Sequence, residues 1–339
     1  MKNNQNLLIA LFAVSLAIYG VLTTGWIENL LGNSEETIGM SSGSATALVG
    51  GENIKVPPLE ILHGGIVFSQ PVEGGGSEIF VMNEEGEDVR QLTDSASIDR
   101  HPSQSPDGMQ IAFSSDRAGD RNDGMFKIFI MNFDGTNVRQ ITRNSNDANP
   151  AWSPDGTQIA FSRGRDDSPQ IFIVNVDGTN VRQVTNSDGF AHIEPSWSPD
   201  GQKIVFSGSP PNGQFEIYTV NTEGTDLRQI SYNDRPSSSP SWSPDGTQII
   251  FSAFLLFEDL SFSAHIFIMD SDGTDTRKLT DNEMFSSLDT EPAWSPDGTE
   301  VVFSRAPTGE STQFEIYIIN ANGTDLRRFW QEGRDPSWK

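Results

Sequence analysis

The chain has 339 residues, no cysteine, 47 acidic against 22 basic side chains and a formal net charge of −25. The absence of cysteine excludes disulfide bonds, thiolate metal ligands and a cysteine nucleophile, and the acidity disfavours binding to a phosphate backbone. Charged residues make up only 20% and aromatic residues 9%, so the composition is that of a folded globular protein and not of a disordered acidic tail.

The first segment of the chain is apolar. Residues 7–22 (LLIALFAVSLAIYGVL) follow a single charge, Lys2, which is typical of a signal peptide, and they are only slightly shorter than the roughly 20 residues of a spanning helix. Residues 1–24 are therefore either a cleaved signal peptide or an uncleaved membrane anchor, and both place the rest of the chain outside the cytoplasm. Residues 25–63 mix Gly, Ser and Glu without sustained periodicity, so we predict a linker.

Residues 64–339 are organised by a repeat. Five turns read P-x-W-S-P-D-G, with glutamine in place of tryptophan in the first, and their aspartates are 48, 45, 45 and 52 residues apart. An apolar strand such as IAFS (111–114) follows each turn, and a second such as IFIMN (128–132) comes later. A period of about 45 residues with four short strands predicts propeller blades. The turn aspartates are Asp107, Asp155, Asp200, Asp245 and Asp297.

The two ends of this region indicate the number of blades. The first copy, IVFS at 66–69, lacks the preceding P-x-W element, whereas the chain ends in DPSWK at 335–339. The tail can supply the missing first strand and leave no open edge. We therefore predict an all-β, six-bladed β-propeller of four-stranded blades over residues 64–339, closed by the C-terminal strand joining the first blade, and a monomer.

The pattern xPxWSPDGxxIAFxS…IFxMNxDGxxxRQLT resembles the TolB-type (PD40, WD40-like) propeller repeat over residues 64–339. The resemblance implies a six-bladed propeller outside the cytoplasm, either periplasmic, secreted or at the cell surface. Propellers of this type bind partner proteins in the Gram-negative envelope. The α/β domain that precedes the propeller in TolB has no counterpart in residues 25–62, which implies a relative of TolB that lacks this domain.

Binding is expected on one face of the propeller. Turns between the first and second strands and between the third and fourth strands are uniform, whereas the other connections vary in length and composition. Propeller geometry puts the variable connections on one face, the variable face, where binding usually occurs. Its most apolar part, residues 253–265 with 281–291, is either an exposed patch for a protein or peptide partner or a loop folded over its own blade. The candidate patch residues are Phe254, Leu255, Leu256, Phe257, Leu260, Phe262, Met284 and Phe285.

A second candidate site is the channel mouth, formed by the residue that precedes each motif proline. Three acids and a histidine converging there could hold a divalent cation or the basic group of a ligand. The alternative is a set of ordinary polar residues that satisfy the strand ends. No other cofactor and no metal ligand set is predicted. The six channel-mouth residues are His101, Asn149, Glu194, Ser239, Glu291 and Asp335.

The sequence gives little support for catalysis. It contains no G-x-S-x-G motif, and its four histidines form no H-x-H or H-E-x-x-H pair. We predict a noncatalytic extracytoplasmic propeller that binds a basic or partly apolar protein or peptide, binds no nucleic acid, and touches a membrane only through its N-terminus. The alternative is a metal-dependent propeller lyase or hydrolase acting on envelope or extracellular glycans, with ligands among His101, His192 and His265.

Overall fold

The structure, a computed structural model, describes residues 38–41, 44–49, 52–56, 65–73, 75–117, 125–143, 146–164, 168–211, 213–232, 235–256, 262–281, 287–307 and 313–339. Every regular element among them is a β-strand, which confirms the all-β class. None of these residues forms a helix long and apolar enough to cross a membrane, and the apolar segment 7–22 lies outside them. The chain divides into two compact units, residues 1–62 and 63–339.

The first unit contains an antiparallel sheet of three strands, β1 (Ile38–Ser41), β2 (Ser44–Val49) and β3 (Glu52–Val56). The predicted linker did not include these strands. Its composition is rich in Gly and Ser, but the segments S-A-T-A (44–47) and N-I-K-V (53–56) alternate polar and apolar residues, as strands do. The Gly50-Gly51 pair that separates β2 from β3 in the sequence is a hairpin signal. Local alternation was therefore more informative than composition here.

In the second unit, each repeat supplies the strands of one antiparallel sheet, and we number these sheets in chain order. Sheet 1 contains β4 (Ile66–Val72), β5 (Gly76–Met82) and β6 (Arg90–Gln91). Sheet 2 contains β7 (Asp99–Gln104), β8 (Gln110–Ser115), β9 (Lys127–Asn132) and β10 (Arg139–Gln140). Sheet 3 contains β11 (Asp147–Trp152), β12 (Gln158–Arg163), β13 (Gln170–Asn175) and β14 (Arg182–Gln183).

The later repeats follow the same order. Sheet 4 contains β15 (Ala191–Trp197), β16 (Lys203–Ser209), β17 (Glu216–Asn221) and β18 (Arg228–Gln229). Sheet 5 contains β19 (Ser237–Trp242), β20 (Gln248–Leu256), β21 (Phe262–Asp270) and β22 (Arg277–Lys278). Sheet 6 contains β23 (Ser287–Trp294), β24 (Glu300–Pro307), β25 (Glu315–Asn320) and β26 (Arg327–Trp330). One parallel pairing, Ala264 with Leu288, connects sheets 5 and 6.

The last strand, β27 (Arg334–Trp338), pairs antiparallel with β4, so the order of sheet 1 is β27-β4-β5-β6. In sheet 1, β27 therefore has the place that β7 has in sheet 2. Four-stranded sheets built from successive repeats are typical of a propeller, and this part of the fold prediction is confirmed.

The core lies within and between the sheets. The second strands carry apolar residues at consecutive positions because both faces of each sheet are covered. One phenylalanine of each second strand is fully buried, and it packs against an aromatic ring of the third strand, as Phe161 does against Phe172 with ring centres 6.0 Å apart. These six phenylalanines are Phe68, Phe113, Phe161, Phe206, Phe251 and Phe303.

The motif tryptophans connect neighbouring sheets. Trp152 of sheet 3 is 8% exposed, and its Nε1 donates a hydrogen bond of 3.0 Å to the carbonyl oxygen of Ser103 in sheet 2. Where the repeat has glutamine, Gln104 Nε2 donates to the carbonyl oxygens of Ser337, at 2.9 Å, and Gly65, at 2.8 Å. The same position thus packs against the preceding sheet whichever residue occupies it.

The turn between the third and fourth strands of sheet 5 presses against sheet 4. Gly273 has φ +91°, and a Cβ at this position would meet the carbonyl oxygen of Ile230 at 2.3 Å. We expect Gly273→Ala to lower the free energy of unfolding by about 2–3 kcal/mol, because the turn must both hold a positive φ and move away from sheet 4. Urea-induced unfolding measures this loss.

Gly75→Ala is the matched control for Gly273→Ala. Gly75 has φ +82° and no atom within 4 Å of the added Cβ, so only the backbone strain, about 1 kcal/mol, should appear. Equal losses in the two variants would contradict a tight contact between sheets at Gly273.

Candidate functional site

The six predicted channel-mouth residues, the channel mouth from here on, lie around one cavity. Together with the prolines that follow them they line a space of about 160 Å³. Each has a positive φ, between +51° and +57°, and lies where the pairing of the first and second strands shifts register, as between Ala148 and Ala151 in sheet 3. Such a bulge re-aims a side chain, here toward the neighbouring sheets.

Side chains of the channel mouth connect one sheet to the next. Glu194 Oε2 accepts a hydrogen bond of 2.7 Å from the backbone N–H of Ser239 in sheet 5 and another of 2.7 Å from Ser207 Oγ in its own sheet. The serine was not among the residues predicted from the sequence. Its signal is the serine that ends each IAFS-type run, and the equivalent residues are Ser69, Ser114, Ser162, Ser207, Ser252 and Ser304.

Glu291 and Asp335 repeat this arrangement between sheets 6 and 1. Glu291 Oε2 accepts hydrogen bonds from the backbone N–H of Asp335, at 2.9 Å, and from Ser304 Oγ, at 2.8 Å. Its other oxygen lies 3.3 Å from a guanidinium nitrogen of Arg334. These hydrogen bonds support the interpretation that channel-mouth residues satisfy the hydrogen-bonding groups at the strand ends. The carboxyl oxygens can still accept further hydrogen bonds.

The two carboxyl groups have pKa values that move in opposite directions. Burial, together with the negative charge of Asp335, raises the pKa of Glu291 to about 8. Burial also acts to raise the pKa of Asp335, but His101, the Ser69 hydroxyl and Arg334 outweigh it, so this pKa is lowered from its usual value. His101 Nε2 lies 4.0 Å from Asp335 Oδ1. At neutral pH the pair therefore carries one proton, on Glu291.

The structure does not bring together the three histidines of the lyase alternative. His101 lines the channel mouth, whereas His192 and His265 lie in sheets 4 and 5 and are buried. His192 packs against Phe206, and burial lowers its pKa to about 4, so it is neutral at pH 7. Among the described residues, no group of three His, Asp or Glu side chains is arranged to hold a metal ion. The cation at the channel mouth stays a prediction.

The predicted apolar patch is partly strand. β20 and β21 continue their pairing as far as Leu256 and Phe262, three residues beyond the six-residue second strand of sheet 3. Phe254 and Leu255 are half-buried, and the backbone N–H of Phe254 donates to the carbonyl oxygen of Pro236 at 2.9 Å. Phe257, Leu260, Met284 and Phe285, and the side chains of Leu256 and Phe262, lie outside the described residues. The patch stays a prediction.

The variable face carries a further cavity that the sequence analysis missed. It measures about 630 Å³ and lies between the connection before β13, the connection that leads to β15, and the loop between β16 and β17. Its signal in the sequence is the Pro210-Pro211 pair in a variable connection. It is lined by Ser168, Pro169, Gly189, Ala191, Ile193, Ser209, Pro210, Pro211, Gly213 and Phe215.

Buried ion pairs connect the first and second strands of three sheets, and the sequence analysis missed these too. Asp147 is fully buried, and its two carboxylate oxygens accept hydrogen bonds of 2.7 and 2.9 Å from Arg163. The guanidinium lies over the Phe161 and Phe172 rings, 5.0 Å from each centre. The equivalent pair in sheet 6 is Asp289 with Arg305. In sheet 2, Asp99 pairs with Arg117, which lies two residues beyond the end of β8.

The uniform turns, by contrast, satisfy their own polar groups. In the turn between β11 and β12, Asp155 Oδ1 accepts hydrogen bonds from Ser153 Oγ at 2.6 Å and from the backbone N–H of Thr157 at 3.0 Å. These bonds lower the pKa of Asp155. The Ser–Asp bond recurs at 2.6–2.7 Å in the other four S-P-D-G turns. These five aspartates are therefore held by hydrogen bonds within their own turns.

Comparison with known proteins agrees with this architecture. Residues 120–254 match the family model of the TolB beta propeller domain, PD40, which confirms the recognition of the TolB-type repeat. TolB from Acinetobacter baumannii is 19% identical, with 89% of this chain and 81% of that chain covered and a TM-score of 0.65. A putative TolB from Agrobacterium tumefaciens is 18% identical, with 80% and 90% covered and a TM-score of 0.62.

A third solved structure of similar fold is an enzyme. Oligogalacturonate lyase from Vibrio parahaemolyticus is 16% identical, with 78% of this chain and 73% of that chain covered and a TM-score of 0.50. At identities this low, all three structures show a common fold alone.

Proposed function

We propose that this chain, which carries the TolB-type repeat, is a noncatalytic extracytoplasmic propeller that binds a protein or peptide partner through its variable face. The six repeats and the pairing of β27 with β4 support six blades in a closed ring. The apolar segment at residues 7–22 supports export from the cytoplasm. The observation that carries the proposal is the contrast between the two classes of connection.

The uniform turns and the variable connections differ in the polar groups and cavities that they leave available to a ligand. The aspartate of each S-P-D-G turn is held by hydrogen bonds from its own turn, so the uniform turns need only fold. Three variable connections line the 630 Å³ cavity, and no two variable connections have the same sequence. A rigid scaffold with divergent loops on one face is the usual arrangement of a binding protein.

The composition of the variable connections defines the chemistry of the partner. Residues 281–291 contain four acidic side chains and no basic one, and residues 253–265 contain two acidic side chains and neither lysine nor arginine. The same two segments hold the apolar residues of the predicted patch. We therefore infer a partner that combines basic and apolar side chains, since opposite charge promotes encounter and apolar anchors provide most of the binding energy.

Phe254→Ser tests this proposal. Phe254 is half-buried, so its loss should cost about 1–2 kcal/mol of stability and leave the propeller folded, while capture of the partner from native envelopes falls at least tenfold. The measurement is a quantitative pull-down with the melting temperature recorded for each variant. Leu227→Ser, at a 45% exposed leucine beside an outer strand, is the matched control. Equal capture by both variants would contradict binding at the patch, and unfolding of Phe254→Ser would favour a loop packed on its own sheet.

A second candidate function is the metal-dependent lyase. Its support is the position of His101 at the channel mouth beside carboxylates, together with the similar fold of an oligogalacturonate lyase solved with manganese. Release of unsaturated products from acidic glycans that needs added Mn²⁺ and disappears in His101→Ala would establish this function. Product formation that is unchanged in His101→Ala would exclude a role for this histidine.

A further inference from the structure

We propose that a cavity where sheets 1, 2 and 6 meet binds the carboxylate group of a small ligand or chain end through Arg100 and Arg334. The cavity measures about 340 Å³ and adjoins the channel mouth, because both are lined by His101, Glu291 and Asp335. This volume is at the lower end of the range for small-ligand sites, about 300–1,000 Å³. The inference is independent of the partner proposed above.

The two arginines supply hydrogen-bond donors that the protein leaves available. Arg100 is exposed, and no described residue accepts a hydrogen bond from its guanidinium. Arg334 is 44% exposed, and its guanidinium donates one hydrogen bond among the described residues, to Glu291 Oε1 at 3.3 Å, although a guanidinium has five N–H donors. The guanidinium carbon of Arg334 lies 3.9 Å from the centre of the Phe314 ring, which holds this planar group in place.

Three acidic groups line the cavity, and two of them, Asp335 and Glu291, are largely buried. The third, Glu332, is half-buried and accepts a hydrogen bond from Gln70 Nε2 at 3.4 Å. The side chain of Asp335 is 12% exposed and that of Glu291 is 22% exposed. Asp335 Oδ2 accepts a hydrogen bond of 2.8 Å from Ser69 Oγ, and Glu291 is protonated at neutral pH for the reasons given above. The two arginines therefore bring N–H donors and positive charge to the cavity, next to the single half-buried carboxylate of Glu332.

A carboxylate is the group that this arrangement fits best. The planar fork of an arginine matches the two oxygens of a carboxylate, and such charge-assisted bonds are about twice as strong as neutral ones. The cavity also contains hydroxyl and carboxylate oxygens, including Ser69, Ser77 and Glu332, which can bond the hydroxyl or amide groups next to the carboxylate. Two sources share this chemistry, the C-terminus of a peptide and a sugar acid.

Ligand-observed NMR titration of the full chain tests the proposal. The probes are acetyl-Gly-Gly with a free carboxylate, its C-terminal amide, glucuronate and glucose. We expect at least one of the two acids to bind at least tenfold more tightly than its neutral counterpart. Arg100→Gln should weaken that binding about tenfold or more, because Arg100 makes no other described contact whose loss would disturb the fold.

Arg143→Gln is the matched control, since Arg143 is an exposed arginine in another variable connection outside the cavity. The Arg143→Gln variant should bind the acid with the same affinity as the unsubstituted protein. Preference for the peptide acid identifies a chain end as the ligand, and preference for glucuronate identifies a sugar acid. Equal binding of acids and neutral probes, no binding of either acid, or equal weakening by Arg100→Gln and Arg143→Gln would overturn the proposal.

Discussion

Asp147→Ala should lower the free energy of unfolding by about 3–5 kcal/mol, the usual cost of leaving one partner of a buried ion pair without the other. Arg163, with a side chain 15% exposed, would lose both of its carboxylate hydrogen bonds while staying over the Phe161 and Phe172 rings. The guanidinium cannot release its proton at any ordinary pH, so its charge would remain poorly solvated. Urea-induced unfolding of the variant measures the loss.

The double variant Asp147→Leu with Arg163→Met should recover most of that stability, because an apolar pair avoids the cost of desolvating two charges. The other three sheets of the same chain lack the ion pair, because His192, Ser237 and Gly333 stand where Asp147 stands in sheet 3. At the equivalent positions, His192 pairs with Gly208 in sheet 4. A double variant as unstable as Asp147→Ala would show that the ion pair itself, and not the burial of an unpartnered charge, stabilises sheet 3.

The sequence predicted the parts of the fold that depend on local chemistry. Pro, Asp and Gly occupy fixed places in each S-P-D-G turn, and the structure places Gly156 there with φ +69°. Each apolar run after such a turn forms a second strand, and each IFIMN-type run forms a third. The channel-mouth residues could also be located, because they hold one fixed place before the motif proline in every repeat.

Interactions between distant residues were not predictable from the repeat. Asp147 and Arg163 lie on different strands, and nothing in a single repeat says that these two side chains meet. The repeat also does not determine how far a hairpin extends. Phe254 and Leu255 were assigned to a loop because they follow the IIFS run, but they continue β20, and their pairing with residues of β21 depends on tertiary contacts of a variable connection.

Glu291→Gln should make the protein more stable than the unsubstituted chain at pH 8.5, by about 2 kcal/mol. The pKa of Glu291 is raised to about 8 from a usual value of 4.5, so the folded protein binds a proton that the unfolded chain has released between these pH values. The stability that this proton maintains is fully present below pH 4.5 and is lost as the pH rises through 8. A pKa shift of one unit corresponds to about 1.4 kcal/mol of stability. The expected gain is smaller than the full shift of Glu291 implies, because its side chain is 22% exposed and water screens part of the effect.

Glutamine isolates this effect because it keeps the oxygen that accepts from the backbone N–H of Asp335 and from Ser304 Oγ, yet it has no proton to lose. Thermal unfolding at pH 4, 5, 7 and 8.5 measures the change, and about 2 kcal/mol corresponds to about 4–8 °C in Tm for a domain of this size. The variant should gain nothing at pH 4 and most at pH 8.5.

Asp335→Asn should change the stability of the protein in the opposite direction. The pKa of Asp335 is lowered, so its contribution to stability is present above its usual value of 3.8 and is lost as the pH falls through the folded value. The asparagine variant should therefore be less stable than the unsubstituted protein at pH 7, and the difference should shrink in acid. If Glu291→Gln and the unsubstituted protein lose stability equally between pH 5 and 8.5, Glu291 is ionised in the folded protein, and the carboxyl pair between sheets 6 and 1 does not share one proton at neutral pH.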